Sequence, residues 1–257
     1  MKVLAIIGSP RKRGNTWQVV ERIKNQLMKI QKDLDFETLF ISEYNLQMCT
    51  GCFTCFSKGK DKCPLKDDHA ILEAKMNEAD GIILAAPTYA MGVPAYMKNF
   101  IDRFAYTSHR PCFFDKAFLV VSTVGGVMGL KQTLGQLAIL ASGGKSLIKL
   151  GIPCPPITFA GFEKRAEKKI QKASKAFHRS LQKQDRKAPG LVDWAYFSSF
   201  KALTASNSYQ KICPADYEYY KDKKDYFYPI KGHPVRRLLG KTTKGLMQAG
   251  LSLMIKE

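Results

Sequence analysis

The sequence predicts an α/β fold: a doubly wound, five-stranded parallel sheet followed by an aromatic, basic C-terminal extension. Three observations predict it. Short, continuous apolar runs recur along the chain, as strands buried on both faces require. Segments of helical period separate them, which is the alternation of a parallel sheet. The alternation then stops at Ala188-Pro189-Gly190, beyond which the composition changes.

The elements follow in order. KVLAII (2–7), bounded by Gly8, reads as the first strand and not as a signal peptide, because no small-residue cleavage site follows it. GSPRKRGNT leads into an amphipathic helix with Val20, Ile23, Leu27 and Ile30 on one side. ETLFI (37–41) is the second strand. After a cysteine-rich loop, KDDHAILEAKMNEAD is helical, with Asp67 as its N-cap. GIILAAP (81–87), AFLVVST (117–123) and the stretch near GIPCPPITF (151–159) supply three more strands. Helices are expected at about 94–106, 130–149 and 162–187, the last with Ala166, Ile170, Ala173, Phe177 and Leu181 on its apolar face. Five strands favour the flavodoxin-like strand order over the longer dinucleotide-binding one.

Residues 1–188 are expected to form the main domain and 189–257 an extension packing on the body or on a neighbouring subunit. Aromatics crowd residues 194–228 of that extension without a strand or helix period, too many for a disordered linker. A terminal helical stretch is expected over 235–255. Glycines at 240, 245 and 250 weaken it as a helix lying on a membrane surface.

The net charge is +19, from 41 Lys and Arg against 22 Asp and Glu. The excess is densest opposite the apolar face of 163–187, and no nucleic-acid motif accompanies it, so a specific nucleic-acid function is not expected. No apolar run reaches the length needed to span a bilayer. Seven cysteines, an odd number in a chain with cytoplasmic character, argue against a disulfide framework.

In open α/β sheets ligands bind at the carboxyl ends of the strands, and three loops there are unusual. GSPRKRGNT (8–16) brings small residues and donors to a helix start, which suits an anion. Its spacing is neither Walker A nor G-x-G-x-x-G. APTYAMGVPAYMKNFIDRF (86–104) is turn-rich and carries an aromatic side chain. STVGGVMGL (122–130) brings bare backbone to the same edge. One anion loop with two backbone-rich loops describes a site for flavin mononucleotide, its phosphate held on the first loop and its ring between the other two.

Together GSPRKRGNT, CTGCFTC…CPLKDD, APTYAMGVPAYMKNFIDR and STVGG resemble the flavodoxin-like NADPH-dependent FMN reductase family, in particular its iron–sulfur flavoprotein branch. The resemblance covers roughly residues 1–187. It implies that Ser9, Arg11, Asn15 and Thr16 hold the FMN phosphate. It implies further that Pro87, Thr88, Tyr89, Met91 and Gly92 line the ring, with Thr123, Gly125 and Gly126 at its other edge. It also implies a homodimer or homotetramer.

Cys49, Cys52, Cys55 and Cys63 are spaced C-x2-C-x2-C-x7-C, with Pro64 after the last. Three thiolates two residues apart can wrap one corner of a 4Fe–4S cluster and a fourth can close it. Structural zinc sites usually present two separated pairs, and a redox C-x-x-C pair would leave two of the four unexplained. The long last gap keeps a second reading open, a loop that holds no cluster in a protein that binds only flavin. Cys112, Cys154 and Cys213 read as buried small side chains, and no nucleophile–base constellation is present.

The sequence therefore reads as a cytoplasmic FMN-dependent oxidoreductase without a catalytic side chain of its own. Its expected donor is ferredoxin or NAD(P)H (NADPH or NADH), and its acceptor a small molecule. A cluster-free NAD(P)H-dependent FMN or quinone reductase and a non-enzymatic flavin electron carrier are the alternatives. The basic charge counts against the carrier and favours an acidic electron donor such as ferredoxin.

Overall fold

The computed structural model describes residues 1–126, 128–157, 161–186, 188–230 and 245. The expected terminal stretch 235–255 lies, apart from Gly245, outside them. The five apolar runs form β1 (Lys2–Ile7), β2 (Asp35–Phe40), β3 (Gly81–Pro87), β4 (Ala117–Val124) and β5 (Ser146–Pro153). All pair in parallel, in the order β2-β1-β3-β4-β5. In chain order the helices are α1 (Asn15–Ile30), α2 (Thr54–Ser57), α3 (His69–Glu78), α4 (Ala95–Arg103), α5 (Leu130–Leu137), α6 (Phe162–Gln182), α7 (Leu191–Leu203), α8 (Asn207–Ile212) and α9 (Pro214–Tyr220). Among the described residues, no helix is long and apolar enough to cross a membrane.

The chain divides into two compact units. The first comprises Met1–Cys49, Lys66–Ser108 and Cys112–Arg186. Here Val3, Ala5, Ile7, Ile83 and Ala85 pack with Val20, Ile23 and Leu27 of α1 and with Ile170 and Phe177 of α6. The alternate strand residues Leu4, Ile6, Ile82, Leu84 and Phe118 are buried as well, so the sheet is covered on both faces, as its unbroken apolar runs require. The whole apolar row expected on α6 is buried. Its opposite side exposes Lys164, Lys168, Lys172, Lys175 and Arg179. On α1, Ile30 departs from expectation and is 43% exposed at the helix end.

Two expected boundaries are corrected. The helix expected over 130–149 ends at Leu137 with a 3-10 turn to Ala141, and the strand expected near 151–159 begins earlier, at Ser146. Gly143, at φ 81, turns the chain, and a side chain on Gly144 would meet the Phe118 ring at 2.7 Å. Prolines at 153, 155 and 156 then end the pairing, since they cannot donate to a ladder. The N-cap of α3 is Asp68, not Asp67.

Asp67 has a different task. Its side chain is fully buried, paired through both carboxylate oxygens with Arg103 of α4. It also accepts the amides of Gln47 at 2.9 Å and His69 at 3.1 Å. Burial opposes its charge, but Arg103 and the two amides outweigh that and hold its pKa below the ordinary carboxylate value.

The second unit comprises Thr50–Leu65 and His109–Pro111 with the described residues of Lys187–Glu257. The stretch 194–228, expected to lack a helical period, contains most of α7 and all of α8 and α9. Their starts are conventional: Asp193 accepts the Gly190 amide at 2.8 Å, Ser206 caps α8 and Pro214 opens α9. The aromatics form this unit's own core. Phe200 stacks on Tyr220 at 5.9 Å and 7°, and Trp194 meets Tyr226 at 5.0 Å.

Asp67→Asn is expected to cost about 3–5 kcal/mol, because it leaves a buried Arg103 without its counter-charge. Urea unfolding measures it, and a loss under about 1 kcal/mol, within the worth of a surface ion pair, would show that the pair is not structural. In the native chain this contribution is present above the unfolded carboxylate pKa of about 3.9. It fades as pH falls through the depressed folded value, so the difference between native and Asn forms should shrink only in acid.

Candidate flavin and cysteine sites

The strand order places β1 beside β3, so the chain switches direction across the sheet at that point. The loops after β1, β3 and β4 leave from neighbouring strand ends. After β1, the Gly8 amide bonds the Ala85 carbonyl of β3 at 2.8 Å. A Cβ on Gly8 would lie 2.5 Å from that of Met97 on α4, so this glycine is required by close packing as well as by the loop. Ser9 is buried, and its hydroxyl accepts the Arg11 amide at 3.1 Å. Arg11 and Asn15 are exposed. The start of α1 carries no side-chain cap, which leaves its first amides to an anion. Thr16, by contrast, is 2% exposed, and its hydroxyl bonds that of Thr123 on β4 at 2.7 Å.

The loop after β3 is a tight antiparallel turn. Tyr89 and Gly92 exchange two backbone hydrogen bonds of 2.9 and 3.0 Å around Ala90 (φ 45) and Met91 (φ 67). Two successive left-handed residues make this a type I′-like turn built without glycine, which stores strain. Its neighbours hold it. Gln136 of α5 accepts the Val93 amide at 2.8 Å, and Gly129 leaves room that a Cβ would close, 2.6 Å from Thr88 and 3.2 Å from the Met91 backbone. Tyr89 and Met91 are left 42% and 43% exposed. Pro87 and Gly92 are half-buried. The Thr88 hydroxyl bonds Ser122 at 3.0 Å and Thr133 at 2.9 Å.

After β4, Gly125 and Gly126 are exposed, and a Cβ on either would meet nothing within 4 Å. Uncapped amides, a row of hydroxyls, exposed flat and thioether side chains and open glycine backbone together match the parts of FMN. The residues present fit that group.

The cysteine run begins where α4 holds it. Asn99, buried on α4, accepts the Cys49 amide at 3.0 Å and donates to the carbonyls of Leu46 and Gln47. Arg103 adds a bond to the Gln47 carbonyl at 2.9 Å. Cys49 and Cys52 are exposed, Cys55 and Cys63 half-buried. Hydrogen bonds from the hydroxyl and amide of Thr54 favour the Cys52 thiolate and lower its pKa. Left-handed Gly51, Phe53 and Gly59 curl the loop. This donor chemistry fits an iron–sulfur cluster. Among the described residues no three His, Cys, Asp or Glu side chains are gathered closely enough to hold a metal ion. Of the remaining thiols, Cys213 is buried as expected, Cys154 is half-buried, and Cys112 is exposed, contrary to expectation.

Several supporting residues gave no signal in the sequence. Asn99, Arg103, Thr133 and Gln136 look like ordinary polar positions of helices, and their partners lie tens of residues away. Gly129→Ala is expected to disturb the 89–92 turn and to weaken FMN retention while leaving the sheet intact. Equilibrium dialysis with circular dichroism checks this, and undiminished retention would show that the turn does not face the flavin.

The chain matches the model of the NADPH-dependent FMN reductase family over residues 1–149. An iron–sulfur flavoprotein of Archaeoglobus fulgidus is 30% identical over 224 residues, covering 87% of this chain and 99% of that protein. One of Clostridioides difficile is 30% identical over 211 residues, covering 80% and 88%. Among solved structures, a flavone reductase superposes with a TM-score of 0.54 at 18% identity, covering 71% of this chain and 63% of its own. An NAD(P)H:quinone oxidoreductase from Methanothermobacter marburgensis gives 0.52 at 16% identity, covering 72% and 98%. At such identities these structures speak for the fold alone. The sequence relatives go further: the chain belongs to the NADPH-dependent FMN reductase family, in its iron–sulfur flavoprotein branch, and is a flavin-dependent oxidoreductase.

Proposed function

We propose that this oxidoreductase passes electrons from ferredoxin or NAD(P)H to a small-molecule acceptor in the cytoplasm. In this reading FMN lies at the carboxyl edge of β1, β3 and β4, and a 4Fe–4S cluster is carried by Cys49, Cys52, Cys55 and Cys63. The observation that carries the flavin site is the uncapped start of α1 after β1, with the strained 89–92 turn after the adjacent β3 and the open Gly125–Gly126 backbone after β4, the next strand along. Four cysteines at cluster spacing, in a relative of proteins named iron–sulfur flavoproteins, support the second group.

When bound, FMN supplies acceptance of a hydride or of two single electrons, and the cluster supplies one-electron transfer. The protein binds and orients. Ser9, Arg11 and Asn15 would hold the phosphate with the first amides of α1, and Thr16, buried and bonded to Thr123, would fix the start of that helix. Thr88 would offer a hydroxyl to the ring's heteroatoms and Tyr89 and Met91 an exposed surface to it, while Thr123, buried against Thr16, would brace the loop. Pro87, Gly92, Gly125 and Gly126 let backbone approach its edge. Residues 1–188 make the flavin-binding domain of a homodimer or homotetramer, and 189–257 an extension that packs on the body or on a neighbouring subunit.

The donor follows from charge. Lys58, Lys62 and Lys66 are exposed around the cysteine run, and the chain carries +19 overall. An acidic ferredoxin is steered to such a surface at low salt.

The purified protein is expected to release about one FMN per chain on denaturation. Asn15→Ala should weaken FMN binding by about 1.5–3 kcal/mol, the worth of a hydrogen bond to a charged group. Full retention after extensive dialysis would remove Asn15 from the phosphate site.

Anaerobic preparations should contain about four iron and four acid-labile sulfide per chain. Cys52→Ser should abolish both and leave FMN in place. Zinc, or no metal at all, rejects the cluster. Reduced ferredoxin should reduce the bound flavin faster than NADPH does, with the rate falling as salt rises, and Lys60→Glu with Lys62→Glu should slow it selectively. A faster reaction with NADPH in a fully active Cys52→Ser protein would instead identify a plain FMN reductase.

A further inference from the structure

Asp216, on α9, is completely buried, which a carboxylate tolerates only with partners. His109 Nδ1 lies 2.8 Å from one oxygen and the Tyr209 hydroxyl donates to the same oxygen at 2.7 Å. Arg110 Nη1 bonds the other. Burial opposes this charge, but the His109 and Tyr209 bonds and the Arg110 charge prevail and hold the pKa below its ordinary value. Arg110, itself 9% exposed, then reaches past the carboxylate. It donates to the Phe56 carbonyl at 3.0 Å and, through Nη2, to the Cys55 carbonyl.

One guanidinium thus joins a buried carboxylate of the extension to two successive carbonyls of the cysteine run. The run needs such support, because α2 is four residues long, far too short to hold itself. The surroundings reinforce the joint. The Phe56 ring packs on His109 at 4.3 Å. Tyr220 donates to the His109 carbonyl at 2.8 Å, and Tyr219 bonds that of Pro111. Simple packing would be met by apolar side chains at lower cost. A planar guanidinium fork adds direction: it fixes how two carbonyls, and hence the Cys55 side chain, are presented.

We propose that Arg110 and Asp216 are positioning residues for the cysteine run, holding Cys55 as the fixed pivot on which the other thiolates close. The inference rests on the cluster reading above. It also gives the extension a role at the metal centre, since Asp216 belongs to it. A buried cation bonded to a ligand residue's carbonyl also raises the potential of an anionic cluster.

The test uses the full chain, with Arg110→Lys, Arg110→Gln and Asp216→Asn, reconstituted anaerobically with ferrous iron and sulfide. Iron, sulfide and FMN contents and the midpoint potential from an EPR-monitored titration are the readouts. Arg110→Gln and Asp216→Asn should lower cluster retention about tenfold or more with FMN unchanged. Arg110→Lys should recover part of it, and the cluster left in Arg110→Gln should have a lower potential. Tyr209→Phe removes one bond to the carboxylate and spares the charge pair; it should lose cluster in the same direction with its fold intact. Wild-type content and potential in Arg110→Gln would overturn the proposal. If the native chain takes up no iron, the cluster reading fails, and alkylation of Cys55 in the metal-free proteins decides the anchor. Faster modification in Arg110→Gln upholds it, and an unchanged rate rejects it.

Discussion

Because all five strands run in one direction, their carboxyl ends share one edge and every connection must cross a face of the sheet through a helix. The consequence for this protein is a division of labour between two edges. Loops at one edge hold the hydroxyls, bare glycines and strained turn. The helices that return from that edge are committed to the core, and their polar residues act as braces. β1 and β3 lie side by side where the strand order reverses, their connections leading into α1 and α4, and that is where open α/β sheets take their ligands.

The braces tie chemically different loops to common elements. Thr16 and Thr123 link the start of α1 to the end of β4, so the first and third loops cannot drift apart. Helix α4 follows directly on the 89–92 turn and carries Asn99 and Arg103, which grip residues 46–49. The start of the cysteine run is therefore fixed by the same helix that leaves the second loop. The Asp67–Arg103 pair is costly to bury, and what it secures is geometry: two rigid donors and a carboxylate that accept only one placement of the Gln47 segment.

The central strands were legible because a strand buried on both faces has to be apolar throughout, and β1, β3 and β4 are. β5 was misplaced because it lies at the sheet edge. Its alternating exposure, with Leu147 41% exposed and Leu150 buried, gives a pattern that merges with the apolar spacing of α5. The helices of the extension were missed because their aromatics serve a small core from three directions and so follow no single period. Their caps at Gly190–Asp193, Ser206 and Pro214 were readable. For the site, composition marked the loops, since glycine, threonine and cysteine are chosen for what a backbone or a ligand needs. The roles of Asn99, Arg103, Gln136, Arg110 and Asp216 depend on partners distant in sequence, and no local pattern records them.

The outer side of α6 carries Lys164, Lys168, Lys172, Lys175 and Arg179 at successive turns. Like charges three and four residues apart each oppose the helix by about 0.2–0.5 kcal/mol. The buried row on the other side has to overcome that repulsion. Such a surface gathers a layer of small anions, and the helix is most comfortable when that layer is dense. Ionic strength therefore acts on this protein with two opposite signs, easing the self-repulsion of α6 while dimming the field that its net charge of +19 casts into solution.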